Sequence, residues 1–318
     1  MSIENCPICG AKAPAALCPV VLAGSEPVYT LAECVKCRTR FLDPLPTTGE
    51  LNRFYAPQYY GSDWFKQEGK GRVFGRAMLP QDAKGNFLDV GCSLGHFLSG
   101  IRQSSQWDVF GVEVSPEAVA FAREKLNLDV SCGELSTAAF PDNFFDYIHV
   151  SNVLEHVRNP HDFLKECRRI LQVSGRLYLC VPNGPVDSSS LIRYYKSEGS
   201  PARSKDGHLF FFSLGALKKL FQDAGFEIIS NRTYGIRRGL RALGLYPQRP
   251  LWKRHYRPSE STQVQHAIQL PDRKKRLPGY YAYRFYQARL KMLPGLWRIG
   301  LDFEILLGTD DAKSLAQF

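Results

Sequence analysis

Four cysteines stand in two C-x-x-C pairs, Cys6 with Cys9 and Cys34 with Cys37. Each pair can turn two thiolates towards one ion, and two pairs complete a tetrahedral sulfur site of the kind zinc prefers. With all four positions taken by protein, such an ion is closed to substrate and its expected role is structural. A second group of residues surrounds a glycine turn, Phe87-Leu88-Asp89-Val90-Gly91-Cys92-Ser93-Leu94-Gly95-His96-Phe97-Leu98. A third group could move protons: His156, beside Glu155, and His208. Imidazole changes charge near neutral pH, which suits a general base.

The glycine turn needs a strand before it and a helix after it. Phe87 to Val90 read as a short buried strand, and the segment after Gly95 can be helical. Glycines let the backbone approach a ligand, and a helix start offers N–H groups without partners. The spacing is G-x-x-x-G after D-x, not the G-x-G-x-x-G that cradles a pyrophosphate. That argues against a nicotinamide oxidoreductase. Asp89 beside the ligand suits a cation instead, and S-adenosylmethionine (SAM) carries a sulfonium, an ammonium and no phosphate. Val109 to Val114 read as the next strand, with Glu113 near its end, where an acid can accept from ribose hydroxyls. Phe145 to Val150 form a later strand, and Ser151 and Asn152 follow at the strand end where open α/β sheets bind ligands. Candidate cofactor residues from this reading are Asp89, Gly91, Cys92, Ser93, Gly95, Glu113, Ser151 and Asn152.

The Asp89 to Gly95 stretch resembles the first motif of class I SAM-dependent methyltransferases. Three later segments resemble the same family. They are Phe140 to Ile148, the run Ser151-Asn152-Val153-Leu154-Glu155-His156-Val157, and the lead-in Leu171-Gln172-Val173-Ser174-Gly175-Arg176-Leu177. In the last, Val173 and Ser174 replace the usual Pro and Gly. The resemblance runs from residue 85 to 231. It implies an α/β, Rossmann-like sheet of seven mostly parallel strands with helices on both faces. It also implies that Gly133, Glu134 and Leu135 flank an adenine and that the insertion 184–207 covers an acceptor pocket. Gly207-His208-Leu209-Phe210-Phe211-Phe212 resembles the family's G-H-x-x-F-F run, which marks His208 as a second acid–base candidate beside His156. In the related ubiquinone O-methyltransferases an E-x-x-E-H run binds a divalent cation, but here Asn152 fills the first position. The N-terminal pattern of C-x-x-C, Pro44-Leu45-Pro46-Thr47, Phe54-Tyr55 and Tyr59-Tyr60 resembles the N-terminal module of bacterial methyltransferases of sugar and polysaccharide biosynthesis. In those proteins the module folds over the cofactor, which would bring Tyr59 or Tyr60 near SAM.

The 318 residues, 44% hydrophobic and 23% charged, fit one large domain with appendages. No apolar run reaches the roughly 18 residues of a membrane-spanning helix. The start of the chain lacks a basic-then-apolar leader, so the nine cysteines read as metal thiolates or core thiols and the expected location is cytoplasmic. Residues 231–291 carry eleven Arg and four Lys against Glu260 and Asp272, a net +13, so the rest of the chain sums to −3 and the whole to +10. Aromatics interleave with these cations, which favours an acidic partner. The choices are a sugar phosphate, a nucleotide sugar or lipid-linked glycan, the anionic inner face of a membrane, or nucleic acid.

The resulting division is a zinc ribbon over 1–45, a helical linker over 46–84, the SAM-binding core over 85–231, and a basic helical segment over 232–318. Within it, Thr48 is expected to cap a short helix, and Ala312 to Phe318 to add the seventh, antiparallel edge strand. The function expected is methyl transfer to a small or lipid-linked acceptor. The alternative is an RNA methyltransferase or a non-catalytic zinc-ribbon protein that binds nucleic acid.

Overall fold

The computed structural model describes residues 4–23, 26–54, 66–234 and 302–309. Short runs of buried residues build a seven-stranded sheet. Its strands are β4 (Asn86–Val90), β5 (Asp108–Glu113), β6 (Asp129–Cys132), β7 (Phe145–Ser151), β8 (Leu171–Pro182), β11 (Phe226–Tyr234) and β12 (Asp302–Thr309). The order across the sheet is β11-β12-β8-β7-β4-β5-β6. All neighbours run parallel except β12, which lies antiparallel between β8 and β11. The chain reverses direction across the sheet at β4 and β7, so the ends of those strands open a crevice for ligands.

Helices cover both faces. Helices α2 (Lys66–Met78), α3 (His96–Arg102) and α4 (Pro116–Leu126) lie on one side, and α5 (Pro160–Ile170) and α8 (Leu214–Asp223) on the other. Their starts are written in the sequence: Ser115 and Ser213 accept from backbone N–H groups three residues on, as does Asn159, and proline opens α4 and α5. Period-two alternation then sorts β4. Leu88 and Val90 face the α5 side, whereas Phe87 faces α2 and α3. Helices α2 and α3 touch through glycine. A Cβ on Gly71 would lie 2.0 Å from the Phe97 carbonyl oxygen, and one on Gly100 would lie 2.1 Å from that of Glu68.

The N-terminal module is a second sheet. Strands β1 (Ala15–Leu22), β2 (Val28–Glu33) and β3 (Arg40–Asp43) are antiparallel. Two strands from late in the chain complete it, β9 (Ala202–Ser204) beside β1 and β10 (Phe210–Phe211) beside β3. The ribbon is therefore knitted into the core and shares its hydrophobic cluster. Helix α1 (Thr48–Phe54) follows it.

Several expectations change. The seventh strand is Asp302–Thr309 and lies inside the sheet; residues 312–318, where it was expected, fall outside the described residues. Helix α1 is capped by Thr47 rather than Thr48: Thr47 Oγ1 accepts from Glu50 N, and the Glu50 carboxylate accepts from Thr47 N, a reciprocal capping box. The insertion is helical, with α6 (Gly184–Asp187) and α7 (Ser189–Glu198) ahead of β9. The core also extends beyond 85–231, because α2 packs on α3 and β12 completes the sheet. No helix among the described residues is long and apolar enough to cross a membrane.

Candidate active site

The turn after β4 is a tight bend with three residues at positive φ: Gly91 (72°), Ser93 (53°) and Gly95 (78°). Gly91 has a second constraint, since a Cβ there would stand 2.5 Å from Val153 Cγ2. The bend thus packs on the loop that leaves β7. Glu113, buried at the end of β5, holds the bend in shape. Its Oε2 accepts from Ser93 N at 2.8 Å and its Oε1 from Ser115 N at 3.0 Å. Ser93 Oγ is buried and has no hydrogen-bond partner among the described residues. An orphaned hydroxyl inside the bend is what a site missing a polar ligand leaves behind. Asp89 is buried on β4 opposite His149 of β7, with its Oδ1 2.7 Å from His149 Nδ1. That imidazole stacks on Phe97 at 4.4 Å and Tyr178 at 5.2 Å.

Beyond Val153, a single 3-10 turn spans Leu154–His156. Leu209 N donates to the Glu155 carbonyl at 2.9 Å, which brings the end of the insertion against this turn. The two expected histidines meet there, with ring centroids 4.9 Å apart. His156 Nδ1 is 3.2 Å from the Gly207 carbonyl, so Nδ1 carries the hydrogen and Nε2 the lone pair. His208 Nδ1 is 2.8 Å from Asp187 Oδ2. Between the rings lies Glu155, fully buried, with neither carboxylate oxygen hydrogen-bonded among the described residues. Burial pushes the Glu155 carboxyl up to about 7. Burial, helped by the charge on His208, pulls His156 down to about 3. Burial also lowers His208, but the Asp187 hydrogen bond and the charges of Glu155 and Asp187 outweigh it and raise the group to about 9. The ring of His156 is neutral and that of His208 holds its proton.

The four ribbon cysteines converge. Their sulfurs all lie within 4.8 Å of one another, with Cys6–Cys37 at 3.7 Å and Cys9–Cys34 at 3.5 Å. A tetrahedral ion with metal–sulfur bonds of about 2.3 Å needs sulfur separations of about 3.8 Å. Gly10 and Arg38, one residue past each pair, both take positive φ, and Ile8 N and Cys37 N each donate to a cysteine sulfur at 3.4 Å. Two matching knuckles of this shape fit zinc.

A family model described as a methyltransferase domain matches residues 67–231, just over half of the chain. The chain belongs to that family. Its core has the Rossmann-like fold of class I SAM-dependent methyltransferases. A probable S-adenosylmethionine-dependent methyltransferase of Mycolicibacterium smegmatis is 26% identical over 186 residues, covering 58% of this chain and 66% of that protein. A ubiquinone biosynthesis O-methyltransferase of Glaesserella parasuis is 29% identical over 115 residues, 33% of this chain and 48% of that one. The chain spans between 30% and 66% of the length of the first curated relatives it matches. A solved SAM-dependent methyltransferase from Archaeoglobus fulgidus is 17% identical, with a TM-score of 0.46 over 77% of this chain and 96% of that one.

In this methyltransferase core the other expected residues fall as follows. Cys92 turns its thiol inward, where a Cβ on Gly111 would meet it at 2.7 Å, so only its backbone faces the bend. Gly133 N donates to the Glu113 carbonyl, Glu134 opens a 3-10 turn, and Leu135 is buried. Ser151 ends β7, and Asn152 takes a φ of 55° with its N–H on the Cys180 carbonyl. Tyr59, Tyr60 and the cations from Arg237 to Lys291 lie outside the described residues. Sequence reasoning missed His149 and Asp187. Alternation along β7 places His149 on the Asp89 face, a signal present in the sequence; nothing local marks Asp187.

Proposed function

We propose that the protein transfers the methyl group of SAM to an oxygen or carbon of an anionic acceptor, a sugar phosphate, nucleotide sugar or lipid-linked glycan. The observation that carries this reading is the pairing of two sites across Val153. The acid-lined bend of Gly91 to Gly95 lies on one side and the buried Glu155, His156 and His208 cluster on the other. SAM supplies a methyl group already activated by a positive sulfur. Asp89, Glu113, Ser93 Oγ and the Gly91 to Gly95 backbone would hold it, with Gly133, Glu134 and Leu135 at the adenine and Ser151 and Asn152 beside the reacting end. The chain contributes mainly position, which in model reactions is worth up to about 7–11 kcal/mol. An acceptor hydroxyl must also lose its proton; His156, with a lone pair on Nε2, would accept it, beside the Asp187-held His208.

The four cysteines would hold a structural zinc. The cationic residues between 232 and 291 suit a phosphate-bearing acceptor or a peripheral contact with an anionic membrane at the cytoplasmic side. Calorimetry of the full chain with SAM tests the donor half of the reading. Binding is expected, with Asp89→Ala weakening it at least tenfold. No heat in the wild type, with Asp89→Ala indistinguishable from it, would end the reading. Release of S-adenosylhomocysteine in the presence of sugar phosphates or nucleotide sugars tests the acceptor half.

A further inference from the structure

The cluster behind the donor bend has more order than a pair of proton carriers needs. The Nε2 atoms of His156 and His208 each stand 3.9 Å from Glu155 Oε1. One ligand atom from each of the three residues lies within 4.8 Å of the others. The far edges of both rings are fixed. His156 donates from Nδ1 to the Gly207 carbonyl, and His208 Nδ1 meets the Asp187 carboxylate. Both imidazoles therefore present Nε2 to the buried acid. Metal-binding histidines have this arrangement, the outer nitrogen anchored on a carbonyl or carboxylate. A fully buried carboxylate with no hydrogen bond is costly unless a cation meets it, and a bound ion would take over that role from the His208 Nε2 proton it displaces.

We propose that Glu155, His156 and His208 bind a first-row divalent cation of the zinc or iron(II) type, with Asp187 and the Gly207 carbonyl as its outer partners. Two nitrogens and one carboxylate are donors such ions share, and calcium and magnesium disfavour. An ion about 2.1 Å from two atoms bridges any separation up to about 4.2 Å, so 3.9 Å needs only small ring adjustments. Three protein ligands leave one position open. The side chains of His156 and His208 keep 12% and 11% exposure, and the open position would take an acceptor oxygen. An ion there would acidify a bound hydroxyl. The donor set does not follow the E-x-x-E-H run, whose first position is Asn152 here; the third donor is His208, from the far side of the insertion. The purpose of the ion rests on the methyltransferase reading, but its binding does not.

The test is metal stoichiometry on the full-length protein. Zinc content and cobalt(II) titration should together give two equivalents per chain. One should show the intense thiolate charge-transfer absorption of the cysteine site, and the other only weak visible bands. Glu155→Gln and His208→Asn should each reduce the total to one, leaving the thiolate band and SAM affinity unchanged. Asp187→Asn should weaken the second site about 10–100-fold. A wild type that takes one equivalent, or a second equivalent that survives both substitutions, overturns the proposal. If a variant fails to fold, the wild type alone decides. Cobalt in this site should give two exchangeable, strongly shifted proton signals from the Nδ1–H groups of His156 and His208, and their absence overturns it. SAM binding with one metal equivalent would leave the methyltransferase reading standing without the second ion. Two equivalents without SAM binding would do the reverse.

Discussion

His149 Nδ1 lies 2.7 Å from Asp89 Oδ1, a bond between two directly opposed residues of neighbouring parallel strands. Both residues are buried. The contact sets the donor bend from beneath, because Asp89 leads straight into Val90 and Gly91. It also ties the bend to α2, whose Phe74 ring stands 5.1 Å from the imidazole.

His149→Phe keeps a flat ring for Phe97 and Tyr178 to stack on but removes the partner of a buried carboxylate. Leaving such a group unsatisfied costs about 1–3 kcal/mol, more when it is charged. Urea unfolding should show a loss of that size, and calorimetry should show weaker SAM binding as Asp89 loses the bond that holds it in place. A variant as stable as the wild type, with unchanged SAM affinity, would show that the bond is incidental.

His96 makes a pH prediction. It opens α3, is buried against Phe121, and neither ring nitrogen has a hydrogen-bond partner among the described residues. Burial lowers its pKa below the ordinary 6.5. The folded protein therefore resists a proton that the unfolded chain accepts, so this residue makes stability fall as pH drops below about 6.5. The slope for one proton is at most about 1.4 kcal/mol per pH unit. His96→Leu removes the term. Its stability relative to wild type should rise steadily from pH 7 to pH 5, read by urea unfolding at each pH. A constant difference across that range would mean that His96 does not titrate with folding.

Much of this arrangement was legible because local signals agreed with the final packing. The caps at Ser115, Asn159 and Ser213 and the buried runs of β4, β5 and β7 each named an element that forms. His156 and His208 each stand in a motif, one after β7 and one at the end of the insertion, but nothing in the sequence shows that their rings meet. The failures share a cause. β12 has Glu304 in mid-strand, and that acid is accommodated between Tyr178 of β8 and Arg232 of β11. Helix α7 buries none of its residues fully and sets only Leu191, Ile192 and Tyr195 against the core, an apolar stripe too short to stand out in a polar segment. Asp187 meets His208, a partner fixed by tertiary structure. Contacts made across the sheet or across the insertion leave no period in the sequence.

The glycine contact between α2 and α3 predicts the sign of a substitution that helix propensity alone would get wrong. Ala in place of Gly inside a helix is ordinarily favourable by about 0.5–1 kcal/mol. At Gly71 the new methyl would meet a backbone carbonyl at 2.0 Å, and overpacking of that kind costs about 1–3 kcal/mol. Gly71→Ala should therefore destabilise. Gly75→Ala should be milder, because its nearest neighbour is the Ser104 hydroxyl at 2.4 Å, which can rotate away. Equal and favourable effects of the two in thermal unfolding would mean that the helices do not pack this closely.

Disruption of the four-cysteine site should be felt at the far side of the insertion. Strand β3 pairs Phe41 with Phe210 and Arg40 with Phe211, and Leu42 N donates to the Leu209 carbonyl. Ser213 Oγ donates to the Cys37 carbonyl at 2.6 Å, and Arg40 donates to Ser188 Oγ at 2.8 Å and to the Pro185 carbonyl at 3.3 Å. His208 and Asp187 are thus framed by the module that the four cysteines hold. A module of about 40 residues relies on such a staple. Cys34→Ser removes one of the four thiolates proposed to hold zinc. Amide protection over 40–43 and 209–211 should then fall by about a hundredfold, since these elements would open locally. The central strands β4 and β5 should keep their protection and SAM affinity should stay within about threefold, because the donor bend is built from other elements. Unchanged exchange over 209–211 in a zinc-free variant would show that the core holds His208 without help from the ribbon.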